Sequence, residues 1–319
     1  MARVLITGGA GFIGSNLAEA LLARGDEVTV IDDFSSGRRE NLAGLEGPLT
    51  VVEGDIRDPE ALARATAGQD YVLHQAAVPS VPRSMDDPVT SLEVNSRGTL
   101  NVLLAARDAG VRRVVFAASS SAYGDSVTLP KIETMPRQPK SPYAADKVHG
   151  EYLCRIFHTS YGLETVALRY FNIFGPRQSP ESDYAAAIPR FVTAILDGRS
   201  PIVFGDGEQS RDFTFVANAV RANLLAMEAK DASGEVFNVG IGERITVNDL
   251  IASIARVVGR DYTIDYRPER KGDVKHSLAS IDKAREILGY EPLVALDEGL
   301  RLTIDWFRRT WTEKERVGS

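Results

Sequence analysis

Arg3-Val4-Leu5-Ile6 reads as a short buried strand that runs directly into Thr7-Gly8-Gly9-Ala10-Gly11-Phe12-Ile13-Gly14, and few folds accommodate that junction. Gly8, Gly11 and Gly14 leave room for a tight turn, for backbone to approach a pyrophosphate, and for a helix to pack on the strand. The helix, predicted over Ser15 to Arg24, presents free N–H groups to an anion at its start. A second strand, Glu27 to Ile31, ends at Asp32, 18 residues beyond Gly14, where an acid meets the ribose of an adenosine. A carboxylate there repels a 2′-phosphate, so NAD is expected rather than NADP. Asp55 and Ile56 follow the apolar run Leu49 to Val52 and are expected at another strand end, facing the adenine.

Further on, apolar runs alternate with helical patterns: Tyr71 to His74, Ser96 to Ala109, Arg113 to Ala118, Tyr143 to Tyr161, Glu164 to Tyr170. That rhythm predicts an α/β fold, a Rossmann-type doubly wound parallel sheet with crossover helices. Ligands of such sheets bind beyond the carboxyl ends of the strands. Ser119 and Asn172 follow two of those strands and reach the same rim as the glycine turn. After about residue 171 proline and glycine become more frequent and the elements shorter, as at Pro201 to Phe204 and Glu235 to Val239. The expected organisation is an NAD-binding domain over 1–170, with contributions from about 212–238. A smaller, interleaved α+β substrate domain over 171–319 carries packing helices at Val247 to Val258 and Leu296 to Arg308.

Composition narrows the class. With 319 residues, 44% hydrophobic and 25% charged, the chain is long enough for this arrangement, and a net charge of −7 argues against a general nucleic-acid or membrane-surface binder. One cysteine, Cys154, excludes an internal disulfide and suits a reducing cytosol. His74, His149, His158 and His276 pair with no cysteines or acids at metal-ligand spacing, so no metal is expected. No signal peptide precedes the first strand and no apolar run approaches the ~20 residues of a membrane span. The expectation is a cytoplasmic protein.

The chemistry lies in Ser119-Ser120-Ser121-Ala122-Tyr123-Gly124 and, nineteen residues on, Tyr143-Ala144-Ala145-Asp146-Lys147. If Tyr143 opens a helix, Lys147 lies one turn later on the same face. Phenol and ammonium then share one site. Free tyrosine titrates near ~10, and a nearby cation favours its phenolate, which suits proton abstraction from a hydroxyl. Alone the spacing is a weak motif, but beside a dinucleotide turn it gains meaning.

Taken together, TGGAGFIG, SSSAYG, SPYAADK, RYFNIFGPRQ from Arg169, SRDFTFV from Ser210 and RKGDVKHSLASI from Arg270 resemble the extended short-chain dehydrogenase/reductases. Within them the chain is most similar to the UDP-hexose 4-epimerases. The resemblance implies that Tyr143 is the base, that Lys147 binds the nicotinamide ribose and lowers the pKa of Tyr143, and that Ser119 bonds the reacting hydroxyl. The implied reaction takes hydride from sugar C4 to NAD, lets the 4-keto sugar rotate and returns hydride to its other face, so NAD stays bound. Beyond the glycines, cofactor contacts are implied at Phe12, Ile13, Asp33, Ser36 and Gly37. Others fall at Gln75, Ala76, Ala77, Asn95 and Tyr170.

The substrate side follows from charge and from the same resemblance. Arg211 and Arg270 are expected on the diphosphate, for which guanidinium forks are suited, with Asp273 on the uridine ribose. Ser80, Ser84, Ser120, Ser121, Asn172 and Phe204 complete the implied set. Ser277 is small where the family carries either a bulky aromatic or a small residue, which implies a pocket tolerant of an N-acetyl group as well as of UDP-glucose and UDP-galactose. Val78-Pro79-Ser80 departs from both family patterns and leaves the preferred hexose open. Dehydration needs an acidic pair where Ser120 and Ser121 stand. Uronate epimerisation or decarboxylation needs a basic pocket, for which Arg83 or Arg190 is available. A non-catalytic NAD sensor needs only the glycine turn. Relatives pair the helices at Ser96 to Ala109 and Tyr143 to Tyr161 across a dimer, so a homodimer is expected.

Overall fold

The computed structural model describes residues 1–180, 186–269 and 275–317, with side chains to residue 310. Seven strands form one parallel sheet: β1 (Arg3–Thr7), β2 (Glu27–Asp32), β3 (Leu49–Glu53), β4 (Tyr71–His74), β5 (Arg113–Ser119), β6 (Glu164–Tyr170) and β7 (Glu235–Val239). Their order is β3-β2-β1-β4-β5-β6-β7. The order reverses between β1 and β4, the switch point beyond which a doubly wound sheet binds its ligand. Val4, Leu5, Ile6, Val114 and Val115 are fully buried, as strands covered on both faces must be.

Helices Phe12–Ala23 and Val216–Glu228 cover one face of the sheet with a core that includes Leu17, Leu21 and Met227. Helices Pro59–Thr66, Gly98–Asp108 and Pro142–Tyr161 cover the other around Leu62, Val102 and Phe157. A separate core joins helices Ala187–Leu196, Val247–Val258 and Leu296–Val317 through Phe191, Leu250 and Ile304. After entering this second core the chain returns to the sheet with Val216–Glu228 and β7. Phe12 and Ile13, at the start of the first helix, pack against the second core. The glycine turn is therefore clamped by both lobes.

The first helix begins at Phe12, three residues before the sequence expectation, because Gly11 is its N-cap. The helix expected from Ser96 begins as a π-helical turn, Leu92–Arg97, before the α-helix Gly98–Asp108. That turn carries Asn95 and Ser96 inward, where both are buried. Such turns occur mostly at functional positions. Two short helices, Val81–Asp86 and Pro88–Ser91, were not anticipated; Ser80 and Asp87 cap them by accepting from Arg83 and Thr90 N–H. Among the described residues no helix is long and apolar enough to cross a membrane.

Candidate active site

Gly8 closes the turn after β1 with φ +67°, and a Cβ there would lie 2.7 Å from the backbone of Ala76. A Cβ on Gly14 would meet the carbonyl of Gly8 at 2.2 Å. No other residue fits this turn without displacing backbone. Gly11 supplies no side-chain cap, so the first N–H groups of the helix, among them Phe12 and Ile13, face the rim unpaired within the helix. Asp32 ends β2 and accepts from the N–H groups of Ala10 at 2.8 Å and Phe34 at 2.9 Å. Burial pushes its carboxyl above the usual range, against the pull of those two amides. Gly37 packs on the same carboxylate, 2.7 Å from where its Cβ would be, and Ser36 lies beside it in the loop. Asp33 holds Ser35 instead.

At the end of β3 Asp55 grips Arg57 with both oxygens, which holds its carboxyl below the usual range. Ile56 turns inward against Gly98, and its carbonyl accepts from Asn101. At the end of β4 Gln75 donates to Asn223 and accepts from the hydroxyl of Tyr170, which in turn accepts from Asn223 at 2.7 Å. Ala76 and Ala77 are partly buried beside them.

A buried chain of hydrogen bonds ties this rim together, and its direction is determined. Ala76 N–H donates to Thr7 Oγ1, and Thr99 donates to the carbonyl of Asn95. His74 must then donate from Nε2 to Thr99 at 2.9 Å and accept at Nδ1 from Thr7 at 2.7 Å. Burial brings the imidazole down to about 3, so it is neutral, as this pattern requires. Asn95 accepts from Val78 N–H at 2.8 Å and donates back to its carbonyl. None of these contacts was legible as a motif.

Ser119 is the last residue of β5. Its Oγ accepts from the amide and hydroxyl of Ser121, which leaves its own proton for another acceptor. Ser120 and Ser121 begin a 3-10 turn, Ser120–Tyr123. Pro142 sits in the first turn of the next helix, where a missing N–H costs nothing, and Ser141 caps Ala144. Ser84 also caps this helix, accepting from Tyr143 N–H at 3.1 Å while donating to Val81 O. Ser84 is fully buried, and through these two bonds it holds the first turn of the Tyr143 helix.

Tyr143 and Lys147 lie one turn apart, the ammonium 5.8 Å from the centre of the phenol ring. Lys147 donates to Ala117 O at 2.9 Å and lies 5.0 Å from the Phe116 ring. Burial raises the Tyr143 phenol above its ordinary value, and the Ser119 hydroxyl offsets this only partly. Burial also brings the Lys147 ammonium down to about 8, opposed by Asp146 and the Cys154 thiol. Burial and the Ser119 hydroxyl are the causes of the Tyr143 shift, and the lowering by Lys147 that the resemblance implies is not among them.

Beyond β6, Asn172 adopts φ +39° and donates to Asp212 O. It lines a cavity of about 290 Å³ with Phe204, Arg211, Arg190, Gln209 and Phe213. Arg211 donates to the carbonyls of Ser210 and Lys275. Ser277 pairs through its N–H with Ser210 O. Ser80 caps its helix near the β4 exit. Arg270 and Asp273 lie outside the described residues. Sequence reading thus located most of the rim, with Asn172, Phe204 and Arg211 in one cavity, and missed Gln209 and Asn223.

A glycine turn at the switch point, an acid at the end of β2 and a Ser, Tyr, Lys group on the neighbouring strands define an extended short-chain dehydrogenase/reductase. The chain belongs to the NAD dependent epimerase/dehydratase family, whose model matches residues 4–240. It is 41% identical over 310 residues to the UDP-glucose 4-epimerase of Mycolicibacterium smegmatis, covering 96% of this chain and 98% of that one. It superposes with TM-score 0.93 and 41% identity on the UDP-N-acetylglucosamine 4-epimerase of Methanobrevibacter ruminantium, in complex with UDP-N-acetylmuramic acid, over 97% and 99% of the two chains. The Thermus thermophilus UDP-glucose 4-epimerase in complex with NAD gives 0.88 and 38%, over 96% and 99%. NAD is the cofactor. The uncapped helix start, the cramped glycine turn and the Asp32 carboxylate of this chain fit it.

Proposed function

We propose that the protein is an NAD-dependent 4-epimerase of UDP-hexoses, interconverting UDP-glucose with UDP-galactose and UDP-N-acetylglucosamine with UDP-N-acetylgalactosamine. The observation that carries this reading is the convergence of Ser119, Tyr143 and Lys147 on one rim of the sheet, with Asn172, Phe204 and Arg211 in a cavity beyond it. Bound NAD supplies reversible hydride acceptance, so that oxidation and reduction at C4 cancel. The chain handles the proton. Tyr143 takes it from the C4 hydroxyl and gives it back, Ser119 hydrogen-bonds the same oxygen, and Lys147 supplies positive charge beneath the phenol. Arg211, with Arg270, receives the diphosphate; Asp273 takes the uridine ribose, and Ser277 leaves room at the sugar 2-position. Ser120 and Ser121 put no acid beside Ser119, so expulsion of a C6 hydroxyl lacks its donor.

Arg190 favours a second reading. It lines the same cavity as Arg211, and a cation there suits the carboxylate of a UDP-uronate. Incubation with UDP-glucose, UDP-N-acetylglucosamine and UDP-glucuronate separately, without added reductant, decides by chromatography of the products. The 4-epimers of both neutral sugars are expected. Conversion of UDP-glucuronate alone moves the assignment to the uronate series. We read the assembly as a homodimer, because Leu92, Tyr152 and Ile156 expose apolar side chains on the helices that relatives of this type pair.

A further inference from the structure

Lys147 is 4% exposed, and among the described residues no carboxylate touches it. A buried ammonium with a single carbonyl acceptor carries a large desolvation cost. Its neighbour in the helix, Asp146, is 5% exposed; Ser91, the last residue of Pro88–Ser91, donates to one carboxylate oxygen at 2.7 Å, and Ser96, in the π-helical turn, to the other at 2.8 Å. Ser91 accepts in turn from the side-chain amide of Asn95 at 3.2 Å. Asn95 is also the end of the chain that runs from Ala76 through Thr7, His74 and Thr99. That chain ends on the Asn95 carbonyl, whereas the Asn95 side chain donates to Ser91, and Ser91 and Ser96 donate to Asp146. Both carboxylate oxygens of Asp146 are thus occupied by hydroxyl donors from the neighbouring segment.

We propose that Asp146 is a positioning residue for the reaction: it is the built-in counter-charge of Lys147, and by accepting from Ser91 and Ser96 it ties the catalytic helix to the segment that carries Asn95. The inference rests on the reading of Lys147 as part of the catalytic group. The other titratable groups facing Lys147 are Tyr143 and Cys154 from its own helix and neutral His74 from β4; β5 offers only Ala117 O and the Phe116 ring. Asp146 is the carboxylate whose charge acts on Lys147, since Glu151, one turn further along the helix, is committed to Arg169 and Arg137. The Asp146 charge on the adjacent residue opposes the burial that brings Lys147 down to about 8, so Lys147 would lose its proton earlier without it.

The test compares the full-length wild type with Asp146→Asn, with Asp146→Ser in reserve because a hydroxyl can exchange hydrogen bonds with Ser91 and Ser96. The rate of UDP-sugar epimerisation and the melting temperature are followed from about pH 7 to about pH 9.5, the range over which a lysine of this kind releases its proton. The alkaline limb of kcat is expected to move down by about one unit, an activity loss of about tenfold above both midpoints with less change near neutrality. The gap in melting temperature between wild type and variant should narrow as pH rises, because the Asp146–Lys147 attraction disappears when Lys147 is neutral. Asp146→Glu should restore the limb. Ser91→Ala with Ser96→Ala, which keeps the charge, should lower the melting temperature without moving the limb. A superimposable pH profile and a pH-independent gap would mean that Asp146 is only structural and would overturn the proposal. If the wild type epimerises no UDP-sugar, the functional reading fails, and the melting comparison still decides whether Asp146 compensates Lys147.

Discussion

Burial drives Tyr143 and Lys147 toward neutrality from opposite sides, raising the phenol and lowering the ammonium to about 8. Each therefore depends on its neighbours for the charge it needs. Tyr143→Phe removes the proton acceptor while leaving the ring, and turnover should fall by about 10²–10⁴-fold with NAD still bound, read by absorbance of the purified protein and by product formation. Ser84→Ala deletes one of the two hydroxyl caps on the Tyr143 helix. A cost of about 1 kcal/mol in urea unfolding is expected, with kcat falling more than KM rises. His74 gives a stability prediction with a definite sign. Its folded value is near 3, below the ordinary 6.5 of the unfolded chain, so stability is complete above about pH 6.5 and is lost as pH falls toward 3, at up to about 1.4 kcal/mol per unit. Urea midpoints of wild type and His74→Gln should converge over that interval.

At the level of elements, Asp212 links the second lobe to the sheet. It is fully buried, it follows Arg211 directly, and its carboxylate accepts from the amides of Ile241, Gly242 and Ala279. Asp212→Asn replaces an acceptor by a donor toward backbone amides, stranding at least one of them at a cost of about 1–3 kcal/mol. Because Arg211 and the Ser277 segment bonded to Ser210 hang on this junction, KM for UDP-sugars should rise more than kcat falls in steady-state assays. Much of the element plan was legible. β4, β6, β7 and Val247–Val258 carry compact apolar runs or periodic faces, and their ends fall where sequence reading put them. The π-helical turn was not legible, because nothing in Leu92–Arg97 distinguishes a π from an α hydrogen-bond pattern. Ser80 with Pro82, and Asp87 with Pro88, are cap signals that could have revealed the two short helices. The same division holds in the site. Gly8, Asp32, Ser119, Tyr143 and Lys147 belong to local patterns, whereas His74, Asp146 and Asn223 acquire roles only through partners as far as 148 residues away.

For the whole molecule, the exposed apolar residues on the helices proposed to pair set the expected assembly. Leu92 is 54% exposed, Tyr152 50% and Ile156 48%. Leu92→Glu with Ile156→Glu should convert dimers to monomers in sedimentation velocity at micromolar concentration, and a monomeric wild type would remove the dimer reading. The order of the sheet has a consequence during synthesis. β6 is an open edge until β7 emerges, more than sixty residues later in the chain, when only the first helix of the second lobe, Ala187–Leu196, has been translated. A nascent chain halted in that interval holds the glycine turn and the catalytic helix but exposes an unpaired strand of seven residues. It also lacks Asn223, which fixes Tyr170 and Gln75 at the rim. Such ribosome-bound chains should recruit chaperones and bind the dinucleotide poorly, and both properties should change together when the ribosome has delivered Val239.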